Sequence, residues 1–138
     1  MAFLDTNQTA LKICGITLNK DAEKLISMGV DAMGINFWPQ SKRYLSPDAA
    51  TSILKNSSGQ ITRVGVFVNA EASLPRQLLS DGLIDIAQFH GDESPQYCAT
   101  FADAGLPFIK AIGVNNQDSL RNISDYQADA ILLDTPAP

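Results

Sequence analysis

The sequence is short of the groups by which many enzymes and binding modules are recognised. It has one histidine, one tryptophan and two cysteines in 138 residues. A lone histidine cannot form a multi-histidine metal site, and no metal is expected. Cys14 and Cys98 are too few for a disulfide framework. Read as reduced thiols, they point to the cytoplasm. Basic runs are missing as well: ten scattered Lys and Arg face fifteen Asp and Glu, for a net charge of −5. That balance argues against a nucleic-acid partner. A small anionic substrate stays compatible, because local groups can bind it against the global charge. No stretch approaches the roughly 18 uninterrupted apolar residues of a membrane span. Met1 to Leu11 carries Asp5 and no long apolar core, so it does not read as a signal peptide.

What is present is a regular alternation. The composition, 45% hydrophobic and 18% charged, is that of a soluble globular protein with material for a sizeable core. Six short β-rich runs cover residues 10–16, 32–38, 61–68, 84–90, 107–114 and 130–134. Helix-like segments fill the intervals. Ala22, Leu25 and Ile26 share a face, and Gly29 stops that helix. Ser46-Pro47 and Ser94-Pro95 read as N-caps followed by proline in the first helical position. A weaker helix is expected around Asp118 to Ile123. Strands alternating with single helices predict βαβ units and a parallel sheet. No linker, low-complexity tract or composition shift divides residues 1–138, which read as one domain.

Both an open doubly wound sheet and a closed barrel fit this alternation. The first strand is followed by Cys14-Gly-Ile-Thr17 and lacks the Gly-rich turn of a dinucleotide-binding sheet. Chemistry-bearing residues instead close several strands: Cys14, Asn36, His90 and Asp134. Barrel enzymes keep their chemistry at that end. A closed barrel needs eight strands.

Each candidate has an ordinary reading beside the functional one. Cys14 is either a buried small hydrophobe or a thiolate acting as base or nucleophile. Asp134 is either a turn residue or an inward carboxylate whose raised pKa suits a general acid. Arg43 lies in the loop after the second strand, near Asn36, Phe37 and Trp38. It is either a solvated surface charge or a fork for a carboxylate beside an aromatic ring. His90, in Gln88-Phe-His-Gly-Asp92, is a hydrogen-bonded structural residue or a substrate-orienting one. A Ser-His-Asp triad lacks its Gly-x-Ser-x-Gly turn. Lys12 and Lys110 interrupt apolar strands, and an inward lysine there needs a partner. Cys98 reads as core.

Taken together, Lys12-Ile-Cys-Gly-Ile-Thr17, Gly34-Ile-Asn-Phe37, Ser41-Lys-Arg-Tyr44, Val64-Gly-Val-Phe-Val68, Gln88-Phe-His-Gly-Asp92 and Leu133-Asp134 resemble the phosphoribosylanthranilate isomerase family of tryptophan biosynthesis. The motifs occur in family order across nearly the whole chain. The resemblance implies a (β/α)8 barrel and an Amadori rearrangement of N-(5-phosphoribosyl)anthranilate without metal or organic cofactor. It implies Cys14 as general base, Asp134 as general acid and Arg43 as the partner of the anthranilate carboxylate. Lys12, Asn36, Gln88 and His90 are expected to line the substrate.

The same resemblance puts the family's phosphate site after strands seven and eight, beyond the six found here. An incomplete barrel is therefore expected, with open edges, little activity of its own, and self-association or pairing with a complementary C-terminal segment. Two other readings compete. One is another phosphosugar barrel enzyme, such as an indole-glycerol-phosphate synthase relative, which would use lysine and glutamate. The other is a non-catalytic assembly module.

Overall fold

The computed structural model describes residues 2–5 and 7–135. Six strands form one sheet in strict sequence order, β1 (Lys12–Cys14), β2 (Ala32–Asn36), β3 (Thr62–Phe67), β4 (Ile86–Phe89), β5 (Phe108–Gly113) and β6 (Ala130–Asp134). All five neighbouring pairs are parallel. Four α-helices make the first four crossovers: α1 (Asn19–Ser27), α2 (Pro47–Asn56), α3 (Ser73–Ser80) and α4 (Pro95–Asp103). The fifth crossover, expected as a weak helix, consists of two 3-10 turns, Gln117–Leu120 and Ile123–Tyr126. Asn116 caps the first of these by accepting from Asp118 N–H at 2.9 Å. Asn and Asp side chains offer the backbone such local bonds in place of a helix ladder.

The starts of α2 and α4 follow from their caps. Ser46 Oγ accepts from Ala49 N–H at 3.1 Å, and Ser94 Oγ accepts from Tyr97 N–H at 3.0 Å. Each satisfies a donor that the first turn would leave open, and the proline behind it has no N–H to lose. Gly29, at φ +74, ends the first helix in the left-handed region.

Alternation along the strands separates two apolar layers. Met33, Ile35, Phe67, Ala87, Phe89 and Phe108 face the helices and pack with Leu54, Leu78, Cys98 and Phe101. Phe89 is at the centre, with ring centroids 4.8 Å from Phe101, 5.2 Å from Tyr97 and 5.5 Å from Phe108. Ala32, Val64, Ile86 and Ile109 form the opposite layer, joined by Phe3, Leu4, Ala130 and Leu132. The sheet curls around this inner layer as a half-barrel.

At the N-terminal end of the strands, Arg63 donates to both oxygens of Asp85 and to the carbonyls of Leu54 and Gly82. This fork ties α2, β3 and the turn before β4 together at the end opposite the candidate site. Lys110 takes the side of β5 that its apolar run left open. It is in register with Phe89 and shares its helix-facing side, so it does not point into the barrel. Its partner there is Glu93, Nζ to Oε1 at 3.3 Å. Residues 136–138, after β6, lie outside the described residues.

Candidate active site

Strand parity decides which side chains meet. Cys14 is in register with Gly34, which continues to Val64 and Ile86, so the thiol is on the inner face. Gln88 and His90 lie two and four residues beyond Ile86, and Asp134 two beyond Leu132, on that same face. All four stand toward the C-terminal ends of their strands.

Cys14 is partly exposed. Its surroundings are built for a small neighbour: a Cβ at Gly34 would lie 2.8 Å from Sγ. The chain then turns sharply through Gly15 at φ +83, and Gly15 and Ile16 both donate to the Gly34 carbonyl, at 3.0 and 3.1 Å. Arg43 reaches across from the loop after β2 and donates from Nη1 to the Cys14 carbonyl at 3.3 Å. The guanidinium lies over Gly15, where any Cβ would collide with it. Among the described residues this is its single hydrogen bond, which leaves the rest of the planar fork for a carboxylate.

At the other end of the sheet, three candidates form one chain of hydrogen bonds. Gln88 Nε2 stands 2.9 Å from His90 Nδ1, and His90 Nε2 stands 3.0 Å from Asp134 Oδ2. With the Gln88 amide nitrogen turned to Nδ1, Nδ1 accepts and the ring proton sits on Nε2, facing Asp134. Gln88 is 2% exposed, and its Oε1 is buried with no partner among the described residues. A cavity of about 500 Å³ opens here, lined by Asn69, His90, Gly113, Asp134 and Thr135 among others.

Asp134 departs from expectation. Its side chain is half exposed, and the desolvation expected to raise its pKa is outweighed. Donation from His90 is the largest influence and holds the carboxyl below its ordinary 3.8, with the Thr135 N–H adding to it. The hydrogen bonds favour the charged form and outweigh burial.

The other candidates are less directly placed. Asn36 Oδ1 accepts from Trp38 N–H at 2.9 Å and its carbonyl from Leu45 N–H at 3.0 Å, so it shapes the base of the loop that carries Arg43. Lys12 opens β1 in register with Ala32, one inner-facing position below Cys14 and at the N-terminal end of the strand. Cys98 is fully buried, as expected of core, and burial pushes its thiol up to about 11. No group of three or more His, Cys, Asp and Glu among the described residues is arranged to hold a metal ion. No helix among them is long and apolar enough to cross a membrane.

Sequence reasoning missed Glu93 and Asn69. Glu93 is 5% exposed and accepts from Gly91 N–H at 2.9 Å and Asn69 N–H at 2.8 Å. Asn69 itself sits at φ 51. Nothing in the local pattern separates Glu93 from an ordinary acid just ahead of a helix N-cap.

Sequential parallel strands, helices on one face and chemistry on the inner face at the C-terminal ends define the (β/α)-barrel class. Comparison with known proteins narrows this. Residues 11–137 match the family model described as N-(5'-phosphoribosyl)anthranilate (PRA) isomerase, and the chain belongs to that family. An N-(5'-phosphoribosyl)anthranilate isomerase of Nitrosomonas eutropha is 42% identical over 129 residues, 92% of this chain and 61% of that protein. The crystal structure of phosphoribosyl anthranilate isomerase from Thermotoga maritima superposes with a TM-score of 0.86 at 38% identity, covering 95% of this chain and 63% of that one. A second solved isomerase, in complex with reduced 1-(o-carboxyphenylamino)-1-deoxyribulose 5-phosphate, gives 0.84 at 38% identity, covering 94% and 66%. The chain thus spans about three-fifths of the length of the curated relatives it matches.

Proposed function

We propose that this chain carries the base, the acid and the carboxylate clamp of an N-(5'-phosphoribosyl)anthranilate isomerase. One observation bears most of the weight. Cys14 and Asp134 end the two outer strands of the sheet on its inner face, and Arg43 is bonded to the backbone of Cys14.

In this reading Arg43 grips the anthranilate carboxylate. Asp134 donates a proton to the furanose ring oxygen; the C1'–O bond breaks and the amine nitrogen's electron pair forms an iminium ion. Cys14, as thiolate, takes the proton from C2'. The electrons of that C–H bond neutralise the iminium and give an enolamine, which tautomerises to the aminoketone. The iminium acidifies the C2'–H, so a thiolate is a sufficient base without metal or organic cofactor. Asp134 must carry a proton at the first step, yet His90 favours its ionised form. Bound substrate strips water from the half-exposed carboxyl, and that desolvation raises its proton affinity at the moment it is needed. His90 and Gln88 orient the acid, and the site's ligand is a small phosphorylated sugar conjugate. Cytoplasmic location fits the two free thiols.

The test uses reduced 1-(o-carboxyphenylamino)-1-deoxyribulose 5-phosphate as ligand. Saturation is expected to shield Cys14 from alkylation and to shift the His90 imidazole resonances, with Arg43→Ala weakening both effects. Unchanged labelling and resonances at millimolar ligand would remove the reading.

Self-association is a second reading. β1 and β6 are the sheet's outer strands, and Leu133 on β6 is 59% exposed. Open edges template further pairing, and one structural relative is a monomer generated from a phosphoribosylanthranilate isomerase of Thermotoga maritima that is described as dimeric. Sedimentation equilibrium decides: a monomer at all concentrations excludes it.

A further inference from the structure

The proposed mechanism does not use the most deeply buried charges near the site, Glu93 and Lys110, whose side chains are 1% and 3% exposed. A buried ion pair is a poor device for stability alone, because desolvation offsets its attraction. Its hydrogen bonds indicate what else it does. Lys110 Nζ donates to the carbonyls of Phe89 at 3.4 Å and Gly91 at 2.9 Å, which flank His90 on either side, and to Ala111 at 2.9 Å. Glu93 Oε1 accepts from Gly91 N–H, and Oε2 accepts from Asn69 N–H in the loop after β3. Asn69 Oδ1 in turn accepts from Asp92 N–H at 2.8 Å. His90 N–H donates to the Phe67 carbonyl at 2.8 Å.

The backbone around His90 is therefore held at the carbonyl before it, at its own N–H, and at both the N–H and the carbonyl of the residue after it. Two of these ties run to Lys110 and one to Glu93. A free loop glycine such as Gly91 would let the imidazole swing. Here the ring is fixed so that one nitrogen meets Gln88 and the other meets Asp134. The groups facing the pair from α4 and the last 3-10 turn are Tyr97, Cys98 and Tyr126; the Tyr126 ring centroid is 5.5 Å from Nζ. Burial raises both Tyr97 and Cys98, to about 12 and about 11. None of the three carries charge at neutral pH that could replace either member of the pair.

We propose that Glu93 and Lys110 are positioning residues that fix the His90 imidazole against Asp134, and through it the orientation and charge state of the acid. The catalytic consequence rests on the isomerase reading above; the physical claim does not. His90 is the only histidine, so its ring nitrogens are unambiguous in long-range ¹⁵N–¹H spectra of this chain. The variants are Glu93→Gln, which removes the charge at constant shape, and the double change Glu93→Leu with Lys110→Leu, which replaces the pair by apolar groups of the kind that often preserve folding. Wild type is expected to show the Nε2–H tautomer. In at least one folded variant, the two ring nitrogens are expected to average and the Asp134 carboxyl to titrate higher, toward its ordinary value. If every variant that folds keeps both wild-type signatures, the proposal is overturned. Unfolding of both variants also overturns it, since the pair would then be an element of the fold and not a positioning device. Neither readout uses substrate. Ligand shielding of Cys14 can therefore fail while the clamp stands, and the reverse.

Discussion

Replacing Gly15 by alanine separates two effects that usually travel together. Gly15 has φ +83, which a residue with a Cβ adopts at a cost of about 1–2 kcal/mol. Gly29 has φ +74 and nothing within 4 Å of where a Cβ would stand, so Gly29→Ala isolates that strain. At Gly15 the Cβ would also collide with the Arg43 guanidinium. Arg43 is exposed and flexible, so the collision is relieved by swinging the arginine away and adds little to the folding cost. Both variants are therefore expected to lose about 1–2 kcal/mol in urea unfolding. Only Gly15→Ala displaces the fork from the Cys14 carbonyl. A charge-assisted bond to the ligand carboxylate is worth about 1.5–3 kcal/mol, or roughly a 10- to 100-fold loss of affinity. Calorimetric titration with the carboxyphenylamino phosphosugar measures it. Equal affinity in the two variants would refute the assignment of Arg43 as the carboxylate clamp. A much larger stability loss at Gly15 would refute the claim that Arg43 yields freely.

Three further outcomes follow from the geometry. Alkylation of the native protein with iodoacetamide is expected to modify Cys14 and spare Cys98, which is buried with its thiol pushed up to about 11; peptide mass spectrometry showing Cys98 labelled first would contradict the packing. His90→Ala removes the hydrogen bond that holds Asp134 below 3.8. Asp134 is then expected to titrate upward in carboxyl ¹³C spectra. A depressed carboxyl pKa stabilises the fold above the unfolded value and loses that contribution as pH falls through the folded one. The variant's deficit should thus vanish in strong acid, and an unmoved Asp134 would contradict the assigned bond. Phe89→Ala empties the middle of the aromatic cluster, where the ring is fully buried. The expected loss is about 3–5 kcal/mol in urea unfolding; a loss under about 1 kcal/mol would mean the cluster does not anchor the helix layer.

The alternation of strands with helices and the starts of α2 and α4 were legible because their signals are local. A serine before a proline caps a helix whatever surrounds it, and Ser46 and Ser94 both do so. The face of a buried strand was not legible. Parallel strands covered on both sides read as continuous apolar runs, so the period of two that would assign inside and outside is erased. Lys110 could be placed in a strand but not on a side of it. Asp134 could be placed at a strand end, but its pKa depends on a histidine 44 residues away, at 3.0 Å. The ties from Glu93 to Asn69 and from Arg63 to Asp85 span 24 and 22 residues. Partnerships at that range are products of sheet register, and residue spacing does not encode them. The fifth crossover, read as a weak helix, is helical but short: it forms two 3-10 turns, the first capped by the Asn116 side chain accepting from Asp118 N–H.

The central claim is that Cys14 and Asp134 act as base and acid in one isomerisation. Its most direct test is turnover of N-(5'-phosphoribosyl)anthranilate by this chain joined to the remaining C-terminal portion of the Nitrosomonas eutropha relative. The account predicts an active chimera in which Cys14→Ala and Asp134→Asn each lower kcat by about 10²–10⁴-fold with little change in KM. An active chimera in which either substitution leaves kcat intact would contradict it.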